Sequence, residues 1–384
     1  MNLYVHTPFC QSKCAYCALR SFAVAPRDIP PDFPSLAARE FSLRAAPASF
    51  DTLYFGGGTP ATLGLDGIIT LVNALRAAGA TPAGNCEWSV ELNPTPALLD
   101  ATPPEALPPL GFNRVSIGVQ SLNDAVLARA GRTHSAADVR AAVARVRSAG
   151  FTNIGIDLIA GLPGDSPASW RATLDAAIDL GVAHISLYAL TLEDGTPLAR
   201  SAAAGEWRPC PDDDMLALLA SAEERLTSAG FRRYEISNYA RPGCECRHNL
   251  ACWRGEDYLG IGPGASSRTA LTRRTNSTVW RAWRSALLNG ELPPAAELES
   301  ITPAEDAEER FLYGLRLSEG VAPDDFAARH PAALPLADFW KSRLAGLASV
   351  GIATEIAPGR WALTSRGREV ADSAIESLLT PLNH

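Results

Sequence analysis

Apolar residues alternate with polar ones, or form short unbroken runs, over residues 3–7, 52–55, 87–92, 114–119, 153–158 and 184–190. That pattern predicts strands. Between them the apolar spacing changes to three and four, over 35–46, 65–78, 135–148 and 167–180, and predicts helices. The third helix starts on Ser135 with Asp138 three residues on, a capping-box pair, and stops at Gly150. The fourth starts on Ser166-Pro167 and stops at Gly181. Repeated strand–helix units call for parallel strands with right-handed crossovers, hence an α/β fold with an open or closed barrel. In such barrels the chemistry sits at the C-terminal ends of the strands.

Beyond residue 205 the period changes. A helix over 212–229 leads to a strand-like segment at 234–237, then to an irregular Gly-, Cys- and His-rich stretch over 241–264. Thr302-Pro303 with Glu305 reads as a helix start. A helix over 336–349, strands at 352–356 and 361–364 around Pro358-Gly359, and a last helix follow. The expected division is a barrel over 1–205, a middle region over 206–300 and a C-terminal α+β region over 301–384. The last contains a winged-helix-like module, read as packing or partner docking because it lacks a basic stripe.

Composition narrows the function. The net charge of −8 argues against general nucleic-acid binding, which needs a basic surface. No long uncharged apolar run predicts a membrane span. With no leader-like start, and eight cysteines in 384 residues, the expected compartment is the reducing cytoplasm. Clustered thiols there read as metal ligands or catalysts. An acid-free window over 258–290 carries Arg268, Arg273, Arg274, Arg281 and Arg284. It reads as a solvated basic face or as a site for anionic groups.

The candidate chemistry starts at Cys10, Cys14 and Cys17, directly behind the first strand. Three soft thiolates on one loop select zinc, copper(I) or an iron–sulfur cluster, and a cluster held by three cysteines leaves one iron open. Gly56-Gly57-Gly58-Thr59-Pro60 closes the second strand. Its glycines allow close approach, so backbone amides can line up on a charged ligand, or they merely turn the chain. Glu91, Gln120 and Asp157 stand at or near the ends of the third, fourth and fifth strands, as helix caps, buried polar groups or jointly as one cofactor site.

Together these segments resemble the radical S-adenosylmethionine superfamily, in the branch of oxygen-independent coproporphyrinogen III oxidase and the haem chaperone HemW. The resemblance rests on Cys-x3-Cys-x2-Cys, Gly-Gly-Gly-Thr-Pro, Glu91-Leu92-Asn93-Pro94, Ser116-Ile117-Gly118-Val119-Gln120, the 157–164 and 234–243 segments and His248-Asn249-Leu250-Ala251-Cys252-Trp253. It implies a partial (β/α)6 barrel with a [4Fe–4S] cluster on Cys10, Cys14 and Cys17. S-adenosylmethionine on the open iron would then meet Tyr4, Tyr16, Gly57, Gly58, Thr59, Glu91, Gln120, Arg132 and Asp157. Leu19 stands where the oxidases have a fourth cysteine, which points to the HemW side. The chain departs from that side at Ala18, for aspartate, and at Cys252, for tyrosine.

The resemblance implies haem as cargo, contacted by His248, Asn249, Cys252 and Trp253, with a haem-acceptor protein as partner and an electron donor wherever radical chemistry occurs. Rival readings are radical decarboxylation of coproporphyrinogen III, a HemN-like radical methyltransferase, and a zinc protein using the three thiols.

Overall fold

The computed structural model describes residues 1–45 and 48–379. All six predicted strands form: β1 (Asn2–Thr7), β2 (Ala48–Gly57), β3 (Ala80–Leu92), β4 (Arg114–Gln120), β5 (Asn153–Ala160) and β6 (His184–Ala189). Each pairs in parallel with the next, because the connections between them cross over rather than turn tightly. The predicted helices are α1 (Phe33–Arg44), α2 (Gly64–Ala77), α3 (Ala136–Ser148) and α4 (Pro167–Asp179). The expected end of α1 at Ala46 lies outside the described residues. Both predicted N-termini are capped: Ser135 and Asp138 bond each other's backbone N–H, and Ser166 does the same with Ser169.

Strand alternation then sorts the side chains. Leu3, Val5, Phe55, Val90, Val115, Ile117, Ile156 and Ile185 are buried in one continuous core with the helices. The alternate positions point inward and are almost all polar: Glu87, Ser89 and Glu91 on β3, Arg114 and Ser116 on β4, Asp157 on β5, His184 and Ser186 on β6. A packed barrel would carry branched apolar residues there. This one keeps a polar interior.

The middle of the chain differs from the expectation of an irregular stretch. After α5 (Asp212–Ser228), the strand expected at 234–237 is a turn, because the Glu235 carboxylate accepts the N–H of Ser237 (3.0 Å) and the side-chain amide of Asn238. Such local bonds compete with a ladder. The strand falls instead at β7 (Asn238–Ala240), antiparallel to β6. Within 241–264 the chain forms α6 (Arg247–Trp253) and β8 (Tyr258–Ile261), and β8 adds to the sheet parallel to β1.

Two glycines permit that addition: a Cβ on Gly260 would lie 2.1 Å from the Ser266 carbonyl oxygen, and one on Gly262 2.4 Å from that of His6. β9 (Ser266–Thr269), β10 (Thr272–Asn276), α7 (Trp280–Leu288) and β11 (Ala295–Ser300) complete this side. The sheet order is β11-β10-β9-β8-β1-β2-β3-β4-β5-β6-β7, with Arg232–Arg233 as a twelfth short strand. Buried Glu40 on α1 ties the addition down. It accepts from the Gly262 N–H (2.9 Å), the Asn276 amide (2.6 Å) and the Trp283 indole (2.8 Å).

Four of the five arginines of the acid-free window are tied to partners, and Arg281 alone of the five is left as an exposed charge. Arg268 is buried and paired with Asp306 and Glu309, Arg273 with Glu299 and Glu309, and Arg284 with Asp32. Arg274 donates to the Pro293 carbonyl and to Asn276. The compensating acids lie on other elements, out of view of a local charge count.

The C-terminal region has its own core. α8 (Pro303–Gly314), α9 (Pro323–Arg329) and α10 (Ala337–Ser349) enclose Phe311 stacked on Trp340, ring centroids 3.7 Å apart. The predicted hairpin is β12 (Ala353–Ala357) and β13 (Arg360–Leu363), followed by two short helices, Ser365–Glu369 and Ala371–Glu376. Among the described residues no helix is long and apolar enough to cross a membrane.

Candidate cofactor site

At the C-terminal ends of the parallel strands the sheet wraps a cavity of 560 Å³. Its wall brings together Cys10, Cys14, Cys17, Tyr4, Tyr16, Gly57, Gly58, Thr59, Glu91, Gln120, Arg132 and Asp157, drawn from five strands and their loops. His248 and Asn249 line it as well, from the first turn of α6. Cys252 and Trp253 are not part of it.

The thiol loop is held by backbone bonds from three directions. Ala15 donates to Ala130 (3.1 Å), Leu198 donates to Ala15 (2.9 Å), and Val24 donates to Cys10 (2.9 Å). Lys13 closes the loop on the Leu19 carbonyl (2.8 Å). All three thiols are free and half-buried, and burial pushes those of Cys10 and Cys17 up. Metal binding would release those protons. Among the described residues no three His, Cys, Asp or Glu side chains are gathered around a single ion position.

The glycine turn works differently from the expected row of free amides. Gly57 N–H donates to Glu91 (3.1 Å), Gly58 N–H to the Thr7 carbonyl (2.8 Å) and Thr59 N–H to the Phe9 carbonyl (2.8 Å). The amides stitch the turn to the thiol loop. What stays free is oxygen: the Gly58 carbonyl has no partner among the described residues. A carbonyl suits an amino group rather than an anion. The close approach demands glycine, since a Cβ on Gly58 would sit 2.5 Å from the Phe9 oxygen and 3.0 Å from the Cys10 sulfur. Gly57, at φ 108°, would drive a Cβ into the His6 ring.

Glu91 accepts from the Tyr54 hydroxyl (2.9 Å) as well as from Gly57. Burial, with the nearby Asp157 charge, pushes its carboxyl up to about 7. Burial also raises Asp157, against bonds from Ser186 and Ser116 and the charge of Arg114. Arg132 spends its outer nitrogens on the Cys14 sulfur (3.2 Å), Asn93 (2.5 Å) and the Gly118 carbonyl (2.6 Å). Its Nε is buried without a partner, leaving one donor for a ligand carboxylate. Gln120 sits at φ 68°, where β4 loses register with β5. A non-glycine residue held there is locally strained, and it turns the strand end over the cavity.

The floor holds residues that motif reading passed over. Arg114 is 2 % exposed, lines the cavity, and has its Nε and Nη1 unpartnered. Glu87 caps α6 from below, accepting the N–H groups of Arg247 and His248 at 3.2 Å each. The signal for both lay in the period-2 run of polar residues within buried strands, Glu87-x-Ser89-x-Glu91 and Arg114-x-Ser116. His248 is buried between Tyr4 and Tyr54, and burial, helped by the Arg114 charge, lowers its imidazole to about 4. It is therefore neutral at pH 7.

The motif that carries His248 is divided by its helix. Cys252, one turn on, is half-buried outside the cavity wall, its thiol pushed to about 12 by burial. Trp253 points elsewhere, under the Arg316 guanidinium (4.6 Å) and against the Tyr313 edge.

The radical SAM superfamily model matches residues 4–177. The haem chaperone HemW of Mycobacterium tuberculosis is 37 % identical over 98 % of this chain and 94 % of its own length.

The chain belongs to the radical SAM superfamily.

Within it the chain falls in the HemN-like branch. Escherichia coli HemW is 31 % identical, over 99 % of this chain and 98 % of that protein. The solved structure of E. coli coproporphyrinogen III oxidase (HemN), described as a radical SAM enzyme, superposes with a TM-score of 0.81 at 23 % identity, covering 98 % of this chain and 89 % of that one. That likeness shows the radical SAM fold. The family implies a [4Fe–4S] cluster and S-adenosylmethionine. The residues present fit both: three free thiols on one wall, a glycine turn with an unpaired carbonyl, and an arginine nitrogen without a partner.

Proposed function

We propose that this radical SAM chain is a HemW-like haem carrier that binds haem and passes it to an acceptor protein in the cytoplasm. What carries the reading is the near end-to-end likeness, at 31 and 37 %, to two proteins named haem chaperone. The site supports it through His248, a buried neutral imidazole on the cavity wall. Neutral imidazole is the form that ligates iron. Leu19 in place of a fourth cysteine fits a carrier rather than the oxidase.

Cys10, Cys14 and Cys17 would hold the cluster. The Gly58 carbonyl would take the cofactor's amino group and Arg132 Nε its carboxylate, with Tyr4, Tyr16, Thr59, Glu91, Gln120 and Asp157 around the remainder. When bound, the cluster supplies one electron to the sulfonium cofactor. The chain's own part is to shield that site in a polar interior of fixed dipoles. Of the expected haem contacts, His248 and Asn249 share the cavity. Cys252 and Trp253 stand one turn further along α6, outside the cavity wall, so one macrocycle in the cavity would not meet all four. The helix–hairpin–helix module at the C-terminus is read as winged-helix-like and as the docking face for the acceptor.

The test is ferric haem titration of anaerobically reconstituted protein, with and without S-adenosylmethionine. A stoichiometric Soret shift that weakens in His248→Ala supports the reading. Absence of any shift in the wild type sinks it, and turnover of coproporphyrinogen under reducing conditions would transfer it to the oxidase.

A further inference from the structure

The proton on His248 can be placed from its neighbours alone. The side-chain N–H of Asn2 donates to the Asp257 carbonyl (3.1 Å), which leaves Asn2 Oδ1 as an acceptor. The Thr52 hydroxyl lies 2.9 Å from that oxygen, and the contact needs Thr52's only proton. Thr52 Oγ1 is also 2.8 Å from His248 Nδ1, and with its proton committed it can only accept there. So Nδ1 carries the hydrogen, and Nε2 holds a bare lone pair. All three side chains are buried, Asn2 at 1 %, Thr52 at 2 % and His248 at 7 % exposure. Glu87 fixes the backbone beneath them by taking the His248 N–H (3.2 Å).

Valine has the shape of Thr52, and a buried strand position favours it. The hydroxyl instead links two buried side chains, donating to Asn2 Oδ1 and accepting from the imidazole. We propose that Thr52, oriented by Asn2, is a positioning residue that holds His248 as the Nδ1–H tautomer and presents Nε2 as the iron-ligating nitrogen for haem. Ligating histidines are commonly held this way, and loss of such a partner weakens metal binding by about 10–100-fold. The inference rests on the haem-carrier reading.

The experiment uses full-length reconstituted protein and ferric haem. Thr52→Val should bind about 10–100-fold more weakly, while Thr52→Ser, which restores the hydroxyl, should bind like wild type. After the saturated complex is reduced with dithionite, the ferrous iron–histidine stretch measured by resonance Raman should fall in frequency in Thr52→Val, because the ligand loses basicity. A purely structural role would leave that band in place.

Asn2→Ala provides a second arm that touches no atom bonded to His248. It frees the Thr52 proton to turn toward Nδ1, shifts the imidazole hydrogen to Nε2 and should also weaken haem binding. This arm stands if the valine variant fails to fold. Wild-type affinity and an unmoved Raman band in Thr52→Val overturn the inference. If His248→Ala abolishes binding while Thr52→Val does not, the positioning role alone fails. If His248→Ala binds haem normally, His248 is not the ligand and the reading beneath the inference fails with it.

Discussion

Glu91 shows how far a single buried carboxyl can be read. Folding raises it from 4.5 to about 7, through burial first and the Asp157 charge second. Between those values the folded chain keeps a proton that the unfolded chain releases. The stability this contributes is whole below pH 4.5 and is lost as pH rises through 7. The shift corresponds to about 3 kcal/mol at most. Glu91→Gln should remove that slope, so the unloaded variant gains on wild type by up to this amount between pH 4.5 and 8. Urea midpoints across that range check it; parallel curves would show that Glu91 titrates normally. Gly58 offers a steric test at the same scale. Its Cβ would meet backbone at 2.5 Å and the Cys10 sulfur at 3.0 Å. Gly58→Ala should displace the thiol loop and cut iron per chain by about twofold or more under identical reconstitution.

At the scale of elements, α6 is seven residues long and too short to hold itself together in water. Its first turn is made by Glu87, which reaches across from β3 to two backbone N–H groups. Glu87→Ala strands both donors inside the protein, and should cost about 2 kcal/mol or more. Glu87→Gln keeps one acceptor oxygen and should recover part of the loss. Chemical denaturation gives the ranking directly. Equal stability of Ala and Gln variants would mean that the helix is held by other contacts. β8 is the other instructive element. Only four residues long, it joins the sheet because Gly260 and Gly262 let it lie against Ser266 and His6.

Two large cores stand out among the described residues. One runs from Leu3 to Leu287 and encloses the sheet, and the other lies between Ala307 and Leu378. They are joined by buried polar pairs such as Arg268 with Asp306 and Glu309. Trp340→Ala removes the stacked partner of Phe311 and should destabilise the C-terminal core by about 3–5 kcal/mol. In calorimetry a low-temperature transition should separate, while cluster content and the haem-induced Soret shift of the remainder persist. A single transition shifted as one would show that the cores unfold together.

Six parallel strands, four crossover helices and the residues around the thiol loop were legible along the chain, because each depends on local rules: side-chain period, caps, and motif spacing. Tertiary structure decided the rest. It placed β8 beside β1, since a strand of four residues with two close-approach glycines has no period to detect. It paired Arg268, Arg273 and Arg284 with acids on α8, on β11 and at the N-cap of α1, and it tied up the amides of the glycine loop while leaving the Gly58 carbonyl without a partner among the described residues. It also split His248 from Trp253 across α6. Each of these depends on what comes within hydrogen-bond or van der Waals reach through space. Linear order does not encode that distance.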